Sequence, residues 1–378
     1  MKSILNRTIV SAAAIAALGA VAEPSGDRPD ATHAWSVHDP NRPIPANVVA
    51  EPGRPPSDAI VLFDGSQESF TANWNDAKRK DKAPRWTVAD GIVTCGGATG
   101  ASTKEDFGDC QLHIEWRIPE NLVRGTDNSG NSGVMFLDGC YEVQIFDSHN
   151  VEPSHSLWKP GNYADGQAGA VYGQNPPIVQ PCRKPGEWQT YDIVFHPPYY
   201  EGKRLVDPGS VTVFFNGVLV QDSFPFQGRT GWRHRFPHEM KSAGPIVLQN
   251  HGSPVSFRNI WLRKIPSRFA DTVNGGPGVK QGDVAALRHK LAGESLKLAD
   301  ETSDPAEKYI RLWESYCYEP DRNTEAKIKA AEAAAVAAYT ENKGTMADKD
   351  RRAAFARFVN MLVDGRWMSQ TSPVKMAL

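Results

Sequence analysis

The stretch GNSGVMFLDGCYEVQIFDS, residues 130–148, reads as two short strands that carry polar groups where buried strands are usually apolar. Val134, Phe136, Val143 and Ile145 supply the apolar half of a period-two pattern, and Glu142 and Gln144 share the opposite face. A carboxyl and an amide side by side on one strand face sit in water, pair inside the core, or line a ligand groove. Asp147 and His149 follow at the strand end, where functional groups concentrate.

Outward from this stretch, residues 59–266 run strand after strand. IVLF opens the series, and RWTVADGIVTC (Arg85–Cys95) predicts two strands around an Asp90-Gly91 turn. Further strands are expected at Gln111–Ile118, Ala170–Tyr172, Trp188–Phe195, Pro245–Gln249 and Val255–Arg263. VTVFFNGVLVQD, with Asn216-Gly217 between two β-rich runs, is a hairpin signal. Many short strands with Gly/Pro turns predict a mainly β, antiparallel sandwich or jelly roll.

In QLHIEWRI one parity carries His113, Glu115 and Arg117, and the other is apolar. The polar face is either a wetted outer sheet surface or the wall of a concave groove. A second polar pair, Gln249 and His251, ends the strand GPIVLQNHG. Shared with Glu142, Gln144 and Asp147, it makes one candidate site. The loop before Ala170 mixes His155, Trp158, Lys159 and Tyr163 with glycines; aromatic faces of this kind stack on sugar rings, or pack locally. Motifs for a serine hydrolase, zincin, P-loop or dinucleotide enzyme are missing.

The rest of the chain divides by composition. Residues 1–22 read as a secretory signal: Lys2 and Arg7, an apolar run from Ile9 to Val21, and a small-residue cleavage site. The apolar run is short for a membrane span. Export to the periplasm or the extracellular space is therefore expected. Loss of Lys2 and Arg7 with the signal takes the formal charge from −2 to −4. A mildly acidic protein of this kind is a poor partner for nucleic acid or anionic membrane. Residues 23–57 form a Pro-rich, charged leader, and 267–281 a linker containing DTVNGGPG. Residues 282–378 predict a helical unit: Leu287, Leu291 and Leu298 recur at helical spacing, as do Tyr309, Leu312, Trp313 and Tyr316, then Phe355, Phe358, Val359 and Leu362. The aromatic stripe reads as packing. The five cysteines, an odd number that leaves at least one unpaired within the chain, lack CxxC spacing; Cys95–Cys110 and Cys140–Cys182 are the pairings that local proximity suggests.

The ordered blocks NSGVMF, GCYEVQIFDS, AGAVYGQ, KPGEWQTYDIVF, VTVFFNGVLVQD and GPIVLQNHGSPVSFRNIWLR resemble the 3-keto-disaccharide hydrolase family from about Ile60 to Ile265. The resemblance implies a concanavalin-A-like jelly roll over 58–266, and cleavage of 3-keto-glycosides. A C3 ketone acidifies the C2 hydrogen, so elimination across C2 and C1 followed by hydration gives net hydrolysis. That path needs a base, an electrophile at the ketone and an acid at the leaving oxygen, not two carboxyls flanking C1. On this footing Glu142 is expected as base or metal ligand, His251 as its acid/base partner and Asp147 as a third catalytic group. A divalent ion is a candidate cofactor, held by Glu142, Asp147 and His251. Asn131, Ser132, Gln144, Arg117, Glu115, Gln249, Tyr172 and Trp158 are the expected substrate contacts. Arg258 reads as a structural brace. The family usually has Asn where this chain has Gln189. Two other readings stand beside this one: a carbohydrate-binding module without chemistry, since fold does not fix function, and an ordinary endoglycosidase. The last lacks its acidic pattern, because Gln144 separates Glu142 from Asp147. The partner in each case is a sugar or glycoside; the oligomeric state is open.

Overall fold

The computed structural model describes residues 29–39, 41–121, 130–150 and 163–378. They divide into two compact units, residues 46–267 and residues 268–378 with the segment up to residue 45.

The first unit is built from antiparallel sheets. In chain order its strands begin with β1 (Ile60–Phe63), β2 (Trp74–Asp76), β3 (Thr87–Ala89), β4 (Ile92–Thr94) and β5 (Ala101–Thr103). Then come β6 (Cys110–Arg117), β7 (Ser132–Phe136), β8 (Tyr141–Ile145), β9 (Gln189–His196) and β10 (Tyr199–Glu201). The series closes with β11 (Arg204–Asp207), β12 (Ser210–Phe215), β13 (Val218–Pro225), β14 (Val247–Leu248) and β15 (Ser256–Lys264). The larger sheet runs β13-β12-β9-β6-β15-β4-β3, with β1 also on β15; the smaller runs β2-β5-β14-β7-β8; β10 and β11 form a separate ribbon.

Strict alternation explains why the sheets pack. On β6 and β9 every second residue is buried, which gives each strand one apolar face to cover. Leu112, Ile114 and Trp116 of β6 join Val134, Phe136, Val143 and Ile145 of the smaller sheet in one core. Phe136 on β7 lies flat against Phe195 on β9, centroids 4.3 Å apart, so the two sheets meet face to face. Asn216 and Gly217 take φ of 51° and 79°, the left-handed pair that a two-residue hairpin requires.

Several sequence expectations change here. Ala170–Tyr172 is not a strand: only isolated bridges from Val171 to Val143 and Asn175 occur. Strands β2, β5, β10 and β11, and the seven-residue helix α1 (Gln67–Asn73), lie where no element is expected. All five cysteines are buried and none is in a disulfide, so neither of the expected pairs forms.

The second unit carries α2 (Gln281–Glu301), α3 (Pro305–Tyr318), α4 (Arg322–Thr340), α5 (Lys349–Asp364) and α6 (Pro373–Ala377). Its core gathers Tyr309, Leu312, Trp313, Phe355, Phe358, Val359 and Leu362, the stripes that the sequence picks out. On α2 the buried face is instead Val284, Ala292, Ser295 and Ala299, while Leu298 is exposed. Small side chains let a helix approach its neighbour closely, so the leucine spacing mislocates the contact face. The leader docks here too: Tyr318 Oη donates to Asp39 and accepts from Asn41. Among the described residues no helix is long and apolar enough to cross a membrane.

Candidate active site

The site grows out of the β7–β8 hairpin. Its turn takes positive φ at Leu137, Asp138 and Gly139. Pairing sets Met135 opposite Glu142 and Gly133 opposite Gln144. These residues face away from the core, and the alternate ones, Val134, Phe136, Val143 and Ile145, fill it. Gly133 leaves room for the carboxyl: a Cβ there would lie 2.2 Å from Glu142 Oε1 and displace that side chain. The Glu142 side chain therefore folds across a bare strand.

Flanking segments then close over this face. On one side, Tyr172 N–H donates to Glu142 O at 3.1 Å and Thr230 N–H donates to Cys140 O at 2.8 Å. Glu142 N–H in turn donates to Thr230 Oγ1 at 3.3 Å. On the other side, β14 pairs with β7, and Gln249 N–H donates to Gly133 O at 2.9 Å. The result is a cavity of about 250 Å³. Its floor is Met135, Gly139, Glu142 and Gln144, with Asn131. Tyr172, Thr230, Gly231 and Trp232 line it from one flank, and Gln249 and His251 from the other.

The electrostatics of the floor are set by burial. Glu142 is 4% exposed, and desolvation pushes its carboxyl up to about 8. With the Gln144 amide turned so that its nitrogen faces acceptors, it donates to Ser132 O at 2.8 Å and to Glu142 Oε1 at 3.2 Å. Gln144 thus orients the carboxyl. Gln249 Oε1 is buried without a hydrogen-bond partner among the described residues, an acceptor for a ligand hydroxyl. Tyr172 Oη is 3.2 Å from Tyr163 Oη. Burial first, then Tyr163 and Glu142, raise the Tyr172 phenol well above its ordinary range, so it keeps its proton.

Six of the expected residues therefore line one cavity: Glu142, His251, Gln144, Gln249, Asn131 and Tyr172. Others stand elsewhere. Glu115 and Arg117 project from the outer face of the larger sheet, because they occupy the parity of β6 opposite its core residues. Burial works to raise the Glu115 carboxyl, but Asn259 at 2.9 Å and Arg258 at 2.6 Å outweigh it and hold it below its usual range. Arg117 and Arg258 both lie over the Trp188 ring, at 4.7 and 4.1 Å, which makes Arg258 the expected brace. Ser132 shares the inward parity of β7; its hydroxyl donates to Gln249 O at 2.6 Å and pins two segments of the smaller sheet. Asp147 is buried and accepts from His149 N–H at 3.4 Å, outside the cavity lining. Trp158 lies outside the described residues. Gln189 accepts from Arg183 N–H and Asn216 Nδ2 and donates to Arg183 O, a structural junction.

The ligand set Glu142, Asp147 and His251 is not gathered, since Asp147 stands apart from the other two. Among the described residues no three His, Cys, Asp or Glu side chains converge on a metal position. Sequence reasoning missed the segment around Trp232. Its only signal is GRTGW, two glycines beside an aromatic residue in a polar run. Trp232 is 57% exposed, with the Arg233 guanidinium 4.8 Å from its ring and Tyr163 edge-on at 6.1 Å.

The model of a family described as the 3-keto-alpha-glucoside-1,2-lyase-like domain matches residues 58–263. A crystal structure from Parabacteroides distasonis ATCC 8503, of an inferred glycosyl hydrolase, is 39% identical; the match covers 59% of this chain and 93% of that one, with a TM-score of 0.52. A second inferred glycosyl hydrolase from the same organism is 21% identical over 55% of this chain and 94% of its own, TM-score 0.42. No curated protein matches the chain.

Proposed function

The chain belongs to the 3-keto-alpha-glucoside-1,2-lyase-like domain family, and from that premise we propose that it is an exported carbohydrate-active enzyme that cleaves 3-keto-glycosides by elimination and hydration. The observation that carries this reading is Glu142: a buried carboxyl whose proton affinity is raised to about 8, in one cavity with His251. The name of the 39% identical relative, an inferred glycosyl hydrolase, agrees with action on a sugar, and we take the sandwich to be of the concanavalin-A-like jelly-roll type.

In the reaction, ionised Glu142 removes the C2 proton of the keto ring. A carboxylate with raised proton affinity is a stronger base than an exposed one, and its range lies close to working pH. The C2–H electron pair becomes the C2–C3 double bond of an enolate, and the ketone oxygen takes the charge. The ketone then reforms, a C1–C2 double bond forms, and the C1–O bond breaks. His251 gives a proton to the departing oxygen. Water adds across the enone, with oxygen at C1 and hydrogen at C2, so the sum is hydrolysis. Gln144 holds the base in place, and Gln249 Oε1 accepts a ring hydroxyl. Nothing in this path asks for a second carboxyl beside C1, and among the described residues Glu142 is the one carboxyl in the cavity lining.

The test is a matched pair of disaccharides, one native and one oxidised at C3, followed by product release. Cleavage of the keto sugar alone is the expected result. Equal cleavage of both overturns the elimination path, and binding of either without turnover favours a carbohydrate-binding module.

A further inference from the structure

We propose that Tyr172, backed by Tyr163, is the electrophile that donates a hydrogen bond to the C3 ketone oxygen and stabilises the enolate. The inference rests on the reaction proposed above and assigns its unfilled role. An enolate needs a donor already aimed at the place where charge develops. Asn131, Thr230, Trp232, Gln249 and Tyr172 all bring donors to the lining, and of these the Tyr172 hydroxyl is backed by a second hydroxyl. Gln144 spends its amide protons on Ser132 O and Glu142 Oε1. Gln249 presents an unpartnered acceptor oxygen, which repels an enolate oxygen rather than holding it. His251 is assigned to the leaving oxygen, two bonds further round the ring.

Tyr172 has the right neighbours. Its backbone N–H is bonded to Glu142 O at 3.1 Å, so its position is fixed relative to the base. It lines the cavity. Its hydroxyl lies 3.2 Å from that of Tyr163. A hydroxyl has one proton and two lone pairs. Either hydroxyl can be the donor in this contact: without substrate Tyr172 can donate to Tyr163, and with the ketone in place Tyr163 gives its proton to Tyr172 Oη, the Tyr172 proton goes to the substrate oxygen, and the two bonds polarise one another. Tyr163 is 37% exposed, so its own oxygen can be served by water. Burial and the nearby Glu142 both keep Tyr172 protonated, which suits a donor and disqualifies it as a base. In the step itself Glu142 gains the C2 proton, the C2–H pair moves into C2=C3, and the oxygen of the former ketone accepts the Tyr172 hydrogen bond without taking its proton.

The experiment uses a 3-keto hexose analogue with hydrogen in place of the exocyclic C1 oxygen, which can form the enolate but has no exocyclic group to expel. Exchange of its C2 hydrogen in D2O is followed by NMR with the full chain, and cleavage of a 3-keto disaccharide is measured in parallel. Tyr172→Phe is expected to slow exchange and kcat by about 10²–10³-fold, the usual cost of losing one such donor, with KM within about threefold of wild type because the contact strengthens only as charge develops. Tyr163→Phe is expected to slow both by about tenfold or less. Wild-type exchange in Tyr172→Phe, with the wild-type chain cleaving the keto sugar, overturns the role of Tyr172 and leaves the reaction standing. A raised KM with unchanged kcat likewise assigns Tyr172 to substrate binding alone. Failure of the wild-type chain to exchange or to cleave overturns the parent reading and this one with it.

Discussion

Glu142 is the residue on which the chemistry turns, and its titration leaves a mark on stability as well as on rate. An exposed glutamate ionises near 4.5, and burial lifts Glu142 to about 8. Between those values the folded chain holds a proton that the unfolded chain has released, so stability falls as pH rises from about 4.5 to about 8 and levels off on either side. Glu142→Gln removes this slope. The variant should gain in Tm relative to wild type at pH 8.5 compared with pH 5, at roughly 2–4 °C per kcal/mol for a domain of this size, which a pair of thermal melts would measure. It should also lose about 10²–10⁴-fold in kcat/KM. In the wild type kcat/KM should climb with pH until about 8, as the carboxylate forms. Retained activity in Glu142→Gln, or a profile flat from pH 5 to 8, contradicts its role as base. At this scale the sequence is a good guide to Glu142 and Gln144, because two polar residues on one face of an apolar strand are conspicuous. It is a poor guide to Ser132 and Asp147. Ser132 points inward by strand parity, and Asp147 leaves the strand before reaching the cavity.

Among elements, the β7–β8 hairpin is both the cavity floor and one wall of the core. The same strands that present Glu142 outward pack Phe136 on Phe195 inward. Phe136→Ala should therefore cost about 3–5 kcal/mol of stability, read as a lower urea midpoint, and should weaken catalysis through the displaced floor. A midpoint within error of wild type would show that the floor stands without this contact. Alternation made β6 and β9 legible, and Asn216-Gly217 marked its hairpin. Strands β2 and β5 escaped because three residues are too few to show a period. Ala170–Tyr172 misled for the opposite reason: its residues suit a strand, yet the backbone turns to bring Tyr172 beside Glu142 and Gln174 N–H to Val171 O. The Trp232 segment carries no period at all, and its place at the cavity follows from its hydrogen bonds to Cys140 and Glu142.

At the scale of the whole molecule the described residues form two hydrophobic cores, one within the sheets and one within the helices. The change of texture near residue 277 announced the second. The docking of Asp39 and Asn41 on Tyr318 did not show, because a Pro-rich segment has no period to reveal a partner. Separate cores predict separable effects. Phe355→Ala, a fully buried residue of α5, should destabilise the helical unit by about 3–5 kcal/mol. Hydrogen exchange should report faster opening of α3 and α5, with β7 and β8 protected as before and turnover within about twofold of wild type. Loss of protection across β7 and β8 would instead show that the two cores open as one.

The central claim is that cleavage begins with transfer of the C2 proton to Glu142. The most direct measurement compares cleavage of a 3-keto disaccharide carrying deuterium at C2 of the oxidised ring with that of its protiated twin, in wild type and in Glu142→Gln. The account predicts a several-fold slower reaction of the deuterated sugar in wild type and almost no reaction of either sugar in the variant. Equal rates for the two sugars, together with wild-type turnover by Glu142→Gln, would contradict it.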